Sequence, residues 1–249
     1  MDRKSKFTVI ASIALAILIA SCAKDGALTN PLVTPPHPNT VVALSMAYTR
    51  ADTTFDRTVP FHDAANTLVR LDSIRFFFAQ PFFLNDNADT VKKFPSKYVL
   101  FELSDGGTIH NLGEVDGHLN TLHVSLGLDS AANHAVPSAD PLNNVGMYTG
   151  NTATGHWFLR LMGRYDSDSN GTLDTTFRYS CGTDALRLPF VVEVHTDANN
   201  GGDVVLPLSL NVDSLMNTIN VAAGPNVGTV TPVTQRLMHN LASGISHLP

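Results

Sequence analysis

The stretch Leu122-His123-Val124-Ser125-Leu126-Gly127-Leu128 alternates between aliphatic residues and polar or small ones. Successive side chains of a β-strand point to opposite faces of a sheet, so this alternation predicts a strand with one buried face. The same period of two places Val42, Leu44, Met46 and Tyr48 on one side of another segment. These two segments favour an all-β fold.

Six further runs have the length and residue types of strands and are bounded by turn residues. They are Leu68–Phe78, Tyr98–Leu103, His156–Met162, Thr175–Cys181, Phe190–His195 and Val204–Val212. The turns between strands include Asn85-Asp86-Asn87, Asp105-Gly106-Gly107 and Asn199-Asn200-Gly201-Gly202. Many short strands joined in this way predict an antiparallel β-sandwich with Greek-key-like connections.

The C-terminal end predicts a short α-helix. Thr231 is a favourable N-cap, and Pro232 suits the first helical position. The aliphatic stripe and the terminating glycine that follow are Val233, Leu237, Leu241 and Gly244. Asp213–Ile219 predicts a second short helix.

The composition excludes several classes of protein. Hydrophobic residues make up 43% of the chain and charged residues 15%, which is incompatible with a disordered protein. The net charge is -6, and Lys and Arg do not cluster after the N-terminus, so we expect no nucleic-acid binding. The longest apolar run, Phe7–Ala20, is shorter than the roughly 20 residues of a spanning helix, which argues against a polytopic membrane protein.

The N-terminus has the layout of a secretory signal peptide. Arg3, Lys4 and Lys6 precede the apolar Phe7–Ala20, and the segment ends in Ile19-Ala20-Ser21-Cys22. This ending resembles the lipobox of bacterial lipoproteins, in which the cysteine is diacylated and becomes the new N-terminus. We therefore predict a signal peptide over residues 1–21 and a lipidated Cys22. The alternative is an ordinary secretory signal with an incidental cysteine.

The mature chain divides into a tether and one domain. Residues 22–40 are rich in proline and predict a semi-extended tether, whereas residues 41–249 contain no second linker or repeat. We expect an outer-membrane lipoprotein, held to the membrane by its N-terminal lipid and facing either the periplasm or the cell exterior. If Cys22 is lipidated, Cys181 has no cysteine partner. It is then a small buried residue or a soft metal ligand.

A calcium loop is the sharpest local motif. Oxygen-bearing side chains alternate around a central Gly171, as in an EF-hand loop. They belong to Asp166, Asp168, Asn170, Thr172 and Asp174. The closing position, normally a glutamate, is Phe177. A polar hairpin loop without metal is the alternative, because hairpins use the same residue types.

The chain contains 10 histidines, many for its length, and imidazole is the commonest metal ligand. His123, His156 and His195 are the preferred candidates, because each lies on a predicted strand that would hold a ligand rigidly. A thioether such as Met147 or Met162 would suit Cu(I). Neither a nucleophile elbow nor a phosphate-binding or dinucleotide-binding glycine motif occurs, so we do not expect an enzyme.

An ordered series of short motifs resembles the MbnP-like family of secreted and lipid-anchored bacterial proteins. The series is Leu126-Gly127-Leu128-Asp129-Ser130, Asn133, Asp140-Pro141-Leu142, Met147-Tyr148, Gly155–Gly163, the acidic loop and Phe177-Arg178-Tyr179. The resemblance is clearest over about Leu122–Gly182. It implies a β-rich extracytoplasmic domain associated with copper.

In the copper-binding members, histidine nitrogens bind the metal near a tryptophan that is converted to kynurenine. That oxidation is attributed to a di-haem partner of the MauG type, so the family member itself is a binder and not the catalyst. Here the chain departs from the family pattern. Residues 149–154 contain no tryptophan, the single Trp157 follows Gly155, and Ser180-Cys181-Gly182 stands where the family often has a histidine.

These observations lead to one functional hypothesis and one alternative. We expect a lipid-anchored, non-catalytic metal-binding protein, with copper held by histidines. The alternative is a metal-independent binding or structural module at the cell surface, with a calcium-stabilised loop. Convergence of three nitrogen or sulfur ligands on one point would favour the first.

Overall fold

The computed structural model describes residues 39–103 and 107–248. Within them, the strands are β1 (Thr40–Arg50), β2 (Thr53–Thr54), β3 (Phe61–His62), β4 (Leu68–Leu84), β5 (Thr90–Lys93), β6 (Tyr98–Glu102), β7 (His110–Val115), β8 (Gly117–Leu126), β9 (Leu159–Tyr165), β10 (Thr175–Cys181), β11 (Leu188–Ala198), β12 (Gly202–Asn211), β13 (Asn226–Val227) and β14 (Ile245–His247). The helices are α1 (Ser130–Asn133), α2 (Val212–Leu215) and α3 (Pro232–Gly244), with a 3-10 turn at Asp184–Leu186.

The described strands form two sheets that share one hydrophobic core, which confirms the all-β sandwich. Their pairing is antiparallel as predicted, except that β1 pairs in parallel with β12 and β10 with β13. The smaller sheet has the order β14-β12-β1-β2, with β7 also paired to β1. The larger has the order β11-β8-β4-β9-β10-β13, with β3, β5 and β6 also paired to β4. The antiparallel pair of β8 and β11 forms one edge of the larger sheet, and this edge carries the site described below.

The alternation seen in the sequence determines which faces are buried. In β1, the side chains of Val42, Leu44, Met46 and Tyr48 are all buried. In β8, Leu122, Val124 and Leu126 point into the core, as predicted.

Strand β4 is longer than its prediction and organises the larger sheet. It extends through Phe82 and Phe83 to Leu84 and pairs with β3, β5, β6, β8 and β9 along its length. Phe76, Phe77 and Phe78 are fully buried on both faces of the strand. Each such side chain contributes roughly 1.5–3 kcal/mol through the hydrophobic effect.

One predicted strand begins in the wrong place. His156–Met162 was predicted as a strand, but β9 starts only at Leu159. His156 instead forms an isolated bridge with Tyr148, and its backbone N–H donates to the side-chain oxygen of Asn133, the last residue of α1. His156 therefore lies outside the regular sheet.

The C-terminal helix confirms its predicted boundaries. The side chain of Thr231 accepts a hydrogen bond from the Thr234 N–H, and the Thr234 hydroxyl accepts one from the Thr231 N–H. Leu237 and Leu241 are buried. No helix among the described residues has both the length and the apolar character that crossing a bilayer requires.

Candidate metal site

His195 lies at a distortion in β11. The pairing of β11 with β8 shifts register between Glu193 and Thr196, so a β-bulge interrupts the strand there. The backbone of His195 has φ +40, in the left-handed region that non-glycine residues rarely adopt. Bulges re-aim side chains and occur often beside functional sites. The side chain is 62% exposed, with Nε2 lying 3.7 Å from a carboxylate oxygen of Glu193.

His118 lies on the neighbouring strand and is oriented by a carboxylate. It pairs directly across β8 and β11 with Asp197, and its Nδ1 lies 2.7 Å from Asp197 Oδ1. This hydrogen bond, followed by the negative charges of Asp86 and Asp197, raises the pKa of His118 above its usual range. When Nδ1 donates its proton to Asp197, Nε2 presents a lone pair towards Asp86, whose Oδ1 lies 3.6 Å away.

Asp86 comes from the turn between β4 and β5. The Asn85 side-chain oxygen accepts hydrogen bonds from the backbone N–H groups of Asn87 and Asp89, and so closes this turn. The Asp86 side chain is left 70% exposed.

One ligand atom from each of Asp86, His118 and His195 lies within 4.8 Å of the others. No other group of three or more His, Cys, Asp or Glu side chains meets this criterion within residues 39–103 and 107–248. The group offers two imidazole nitrogens and one carboxylate oxygen, a donor set that suits a first-row transition metal. It meets the expected convergence of three nitrogen or sulfur ligands only in part, because its third ligand is an oxygen.

A third histidine lies close to this group. His247 is on β14 of the smaller sheet. Burial lowers the pKa of His247, and the nearby His195 lowers it further. Because β14 lies against β11, the candidate site lies near the place where the edges of the two sheets approach each other.

The three histidines predicted as ligands do not converge. His123 lies on β8 as predicted, but its ring stacks on Phe82 with centroids 4.6 Å apart, and its Nε2 is 3.1 Å from the Thr121 hydroxyl. Burial lowers its pKa. Only His195 of the three belongs to the candidate metal site.

His156 is fully buried and its ring is occupied by backbone contacts. Nδ1 lies 3.1 Å from the carbonyl oxygen of Asn133, and Nε2 lies 3.0 Å from that of Leu142. The ring also packs against Tyr148. The imidazole thus connects the segment before β9 to Asn133 and Leu142. Neither ring nitrogen is available to bind a metal.

The predicted calcium loop is closed by its own hydrogen bonds. The Asp166 carboxylate accepts from the backbone N–H groups of Asn170 and Gly171. Burial opposes ionisation of Asp166, but these hydrogen bonds outweigh it and its pKa is lowered. Asp174 accepts from the hydroxyls of Ser167 and Thr175, at the opposite end of the loop.

The remaining loop ligands are also engaged locally. The Asn170 amide group donates to Asp168, and the Asn170 side-chain oxygen accepts from the Thr172 backbone N–H. Asp166, Asp168 and Asp174 do not form a convergent group among the described carboxylates. Calcium binding stays a prediction.

Of the two cysteines, only Cys181 lies within the described residues. Cys22, the predicted lipidation site, lies outside the described residues. Cys181 lies on β10, is fully buried and forms no disulfide, and burial raises the pKa of its thiol to about 12. This agrees with the expectation of a small buried residue.

A family model described as MbnP matches residues 40–231. The chain belongs to the MbnP family. Among solved structures, MbnP from Methylosinus trichosporium is similar with a TM-score of 0.55 and 14% identity, covering 78% of this chain and 82% of that one. At that identity the likeness concerns the fold. No curated protein matches the chain.

Asp86 and His118 were missed by the sequence analysis. Asp86 was recognised only as a turn residue, and His118 preceded the part of β8 in which alternation is visible. The one available signal was Asn85-Asp86-Asn87, since such turns often present an exposed carboxylate. Pairing this turn with His118 required the register of β4, β8 and β11.

Proposed function

We propose that this MbnP-family protein binds copper through Asp86, His118 and His195, without itself catalysing a reaction. The convergence of these three side chains within 4.8 Å carries the proposal. The hydrogen bond from His118 to Asp197 supports it, because metal-bound histidines commonly donate their second N–H to a carboxylate.

The donor set fits copper in its divalent form. Imidazole nitrogen and carboxylate oxygen bind Cu(II) more tightly than the other divalent first-row ions at a given site, and thiolate or thioether ligands favour Cu(I). The three ligands include no sulfur, and the buried Cys181 lies outside the group. All three side chains are substantially exposed, so solvent completes the coordination shell.

The cellular setting is part of the same proposal. The basic and apolar N-terminus with Cys22 supports export and attachment to the outer membrane through lipid. The family resemblance supports a di-haem protein of the MauG type as partner, with the oxidative chemistry on that partner. A copper-binding, non-catalytic role is consistent with an exposed group that a partner can reach.

The test is Cu(II) binding by the full chain purified in detergent, measured against a competing chelator. We expect about one equivalent, with nitrogen couplings in the electron paramagnetic resonance spectrum, and loss of tight binding in H118A and H195A. His239→Ala is a matched control, since His239 is exposed on α3. His123→Ala separates this site from the ligand predicted from sequence, and it should also bind normally.

Two results would refute the assignment. Unchanged copper binding in H118A and H195A would place the metal elsewhere. Failure of the unmodified chain to retain copper would favour the alternative of a metal-independent surface module. Calcium should then be tested separately with D166N.

A further inference from the structure

The outer face of the larger sheet gathers five arginines in a chain of net negative charge. Residues that pair directly across neighbouring strands share a face. Arg160 on β9 pairs with Arg75 on β4, and Arg164 pairs with Arg70. Arg178 on β10 pairs with Met162, which lies between Arg160 and Arg164 on the same face of β9.

Carboxylates balance only three of these arginines among the described residues. Asp72 lies 2.9 Å from Arg70 and 4.0 Å from Arg164. Glu102 lies 3.2 Å from Arg75. Over residues 39–103 and 107–248, no carboxylate lies within ion-pair distance of Arg160 or Arg178.

These two unbalanced arginines line the same pocket, which has a volume of about 250 Å³. Its walls are Trp157, Arg160, Arg178, Ser180 and the segment Asn226–Gly228. The volume is below the roughly 300–1,000 Å³ of pockets for drug-sized ligands, so the space suits a small ligand.

Arg160 lines the pocket and has an unpaired hydrogen-bond donor. One of its terminal nitrogens donates to the Gly146 carbonyl, but its buried Nε has no hydrogen-bond partner. Burial, followed by the charges of Arg178 and Arg75, lowers its pKa. A partly buried cation beside a second cation is unfavourable until an anion compensates it.

We propose that this pocket binds a small oxyanion, with the guanidinium groups of Arg160 and Arg178 as its main ligands. Arginine presents paired N–H donors that match the oxygens of phosphate and carboxylate groups. The Ser180 hydroxyl and the Asn226 amide are further polar groups of the wall. The site is independent of the proposed copper ligands, none of which lines this pocket.

The fluorescence of Trp157 provides a direct test, because Trp157 is the only tryptophan of the chain and it lines the pocket. The full chain in detergent is titrated with inorganic phosphate at constant ionic strength. We expect a saturable change of tryptophan emission and a rise in Tm, neither of which sodium chloride reproduces. Parallel titrations with acetate and citrate distinguish a phosphate ligand from a carboxylate one.

Arg178→Gln is the informative variant, because Arg178 is exposed and its removal should leave the fold intact. We expect the affinity for the bound oxyanion to fall about tenfold, as for loss of a hydrogen bond to a charged group. Arg164→Gln is the matched control. It removes the same charge from the same face, but Arg164 lies outside the pocket.

Equal weakening in R164Q and R178Q would overturn the proposal, since the effect would then be general electrostatic attraction. A lack of saturable response to phosphate, acetate and citrate would also overturn it. Arg160→Gln serves as a second variant, with its folding checked by circular dichroism, because Arg160 also contacts the Gly146 carbonyl.

Discussion

Replacing Asp197 by Asn should weaken copper binding without removing a ligand. Asp197 contacts Nδ1 of His118 at 2.7 Å and holds the ring with Nε2 towards Asp86. An amide is uncharged and holds the imidazole N–H less strongly than a carboxylate does. Loss of such a supporting carboxylate typically lowers metal affinity by about 10–100-fold. We expect a decrease of this size at alkaline pH, above the raised pKa of His118.

The pH dependence of copper binding should become weaker in D197N. Asp197 raises the pKa of His118, so protons compete with the metal for Nε2 as the pH falls through that raised pKa. In D197N the pKa of His118 falls, and the onset of proton competition moves to lower pH. The variant should therefore bind more weakly at pH 8 yet lose a smaller share of its affinity between pH 8 and pH 6.

The assay is Cu(II) titration against a chelator at several pH values, with the unmodified chain and D197N side by side. Asp203→Asn is the control, because it removes one exposed carboxylate from β12 and should leave the affinity unchanged. Equal affinity of D197N and the unmodified chain at pH 8 would refute the role assigned to Asp197. An equal loss in D203N would indicate an effect of net charge alone.

Three further predictions concern the fold. Gly163→Ala should lower the free energy of unfolding by about 1–3 kcal/mol in denaturant titrations, because the new Cβ would lie 2.1 Å from the Arg70 carbonyl oxygen. Gly224→Ala is the control, since a Cβ at Gly224 has room and should be tolerated. Thr231→Ala should cost about 1 kcal/mol by the same assay through loss of the helix cap, and Thr231→Ser should restore it. Because its thiol is buried with a pKa of about 12, Cys181 should resist alkylation at pH 8 in the native protein and react once denaturant unfolds it.

Side-chain periodicity was enough to predict the two-faced strands. β1 and β8 each bury one face, and their alternation is visible in the sequence. The middle of β4 is buried on both faces, so Phe76-Phe77-Phe78 shows no alternation. This part of the strand could be predicted only from the length of the apolar run and its residue types. The capped helix α3 was predictable because its signals are local.

Pairing between distant strands was not predictable in the same way. β1 runs parallel to β12, with Leu44 opposite Leu206, although most of the larger sheet is built from the chain between them. Parallel neighbours need a long connection, and no local turn signals which strands will meet. The sequence therefore predicted a sandwich but not the order of its strands.

The proposed metal site depends on this long-range order. Histidines were chosen for lying on predicted strands. This choice included His195, which belongs to the candidate group, but also His123, whose ring stacks on Phe82. A regular strand places a side chain on one of two faces, whereas the bulge at His195 turns it out of that pattern towards His118. The turn that supplies Asp86 is distant from both histidines in the chain and adjacent to them only because β8 pairs with β4 and with β11. A metal site formed by a bulge, a strand end and a turn therefore has no sequence motif, and its ligands can be recognised only once the register is known.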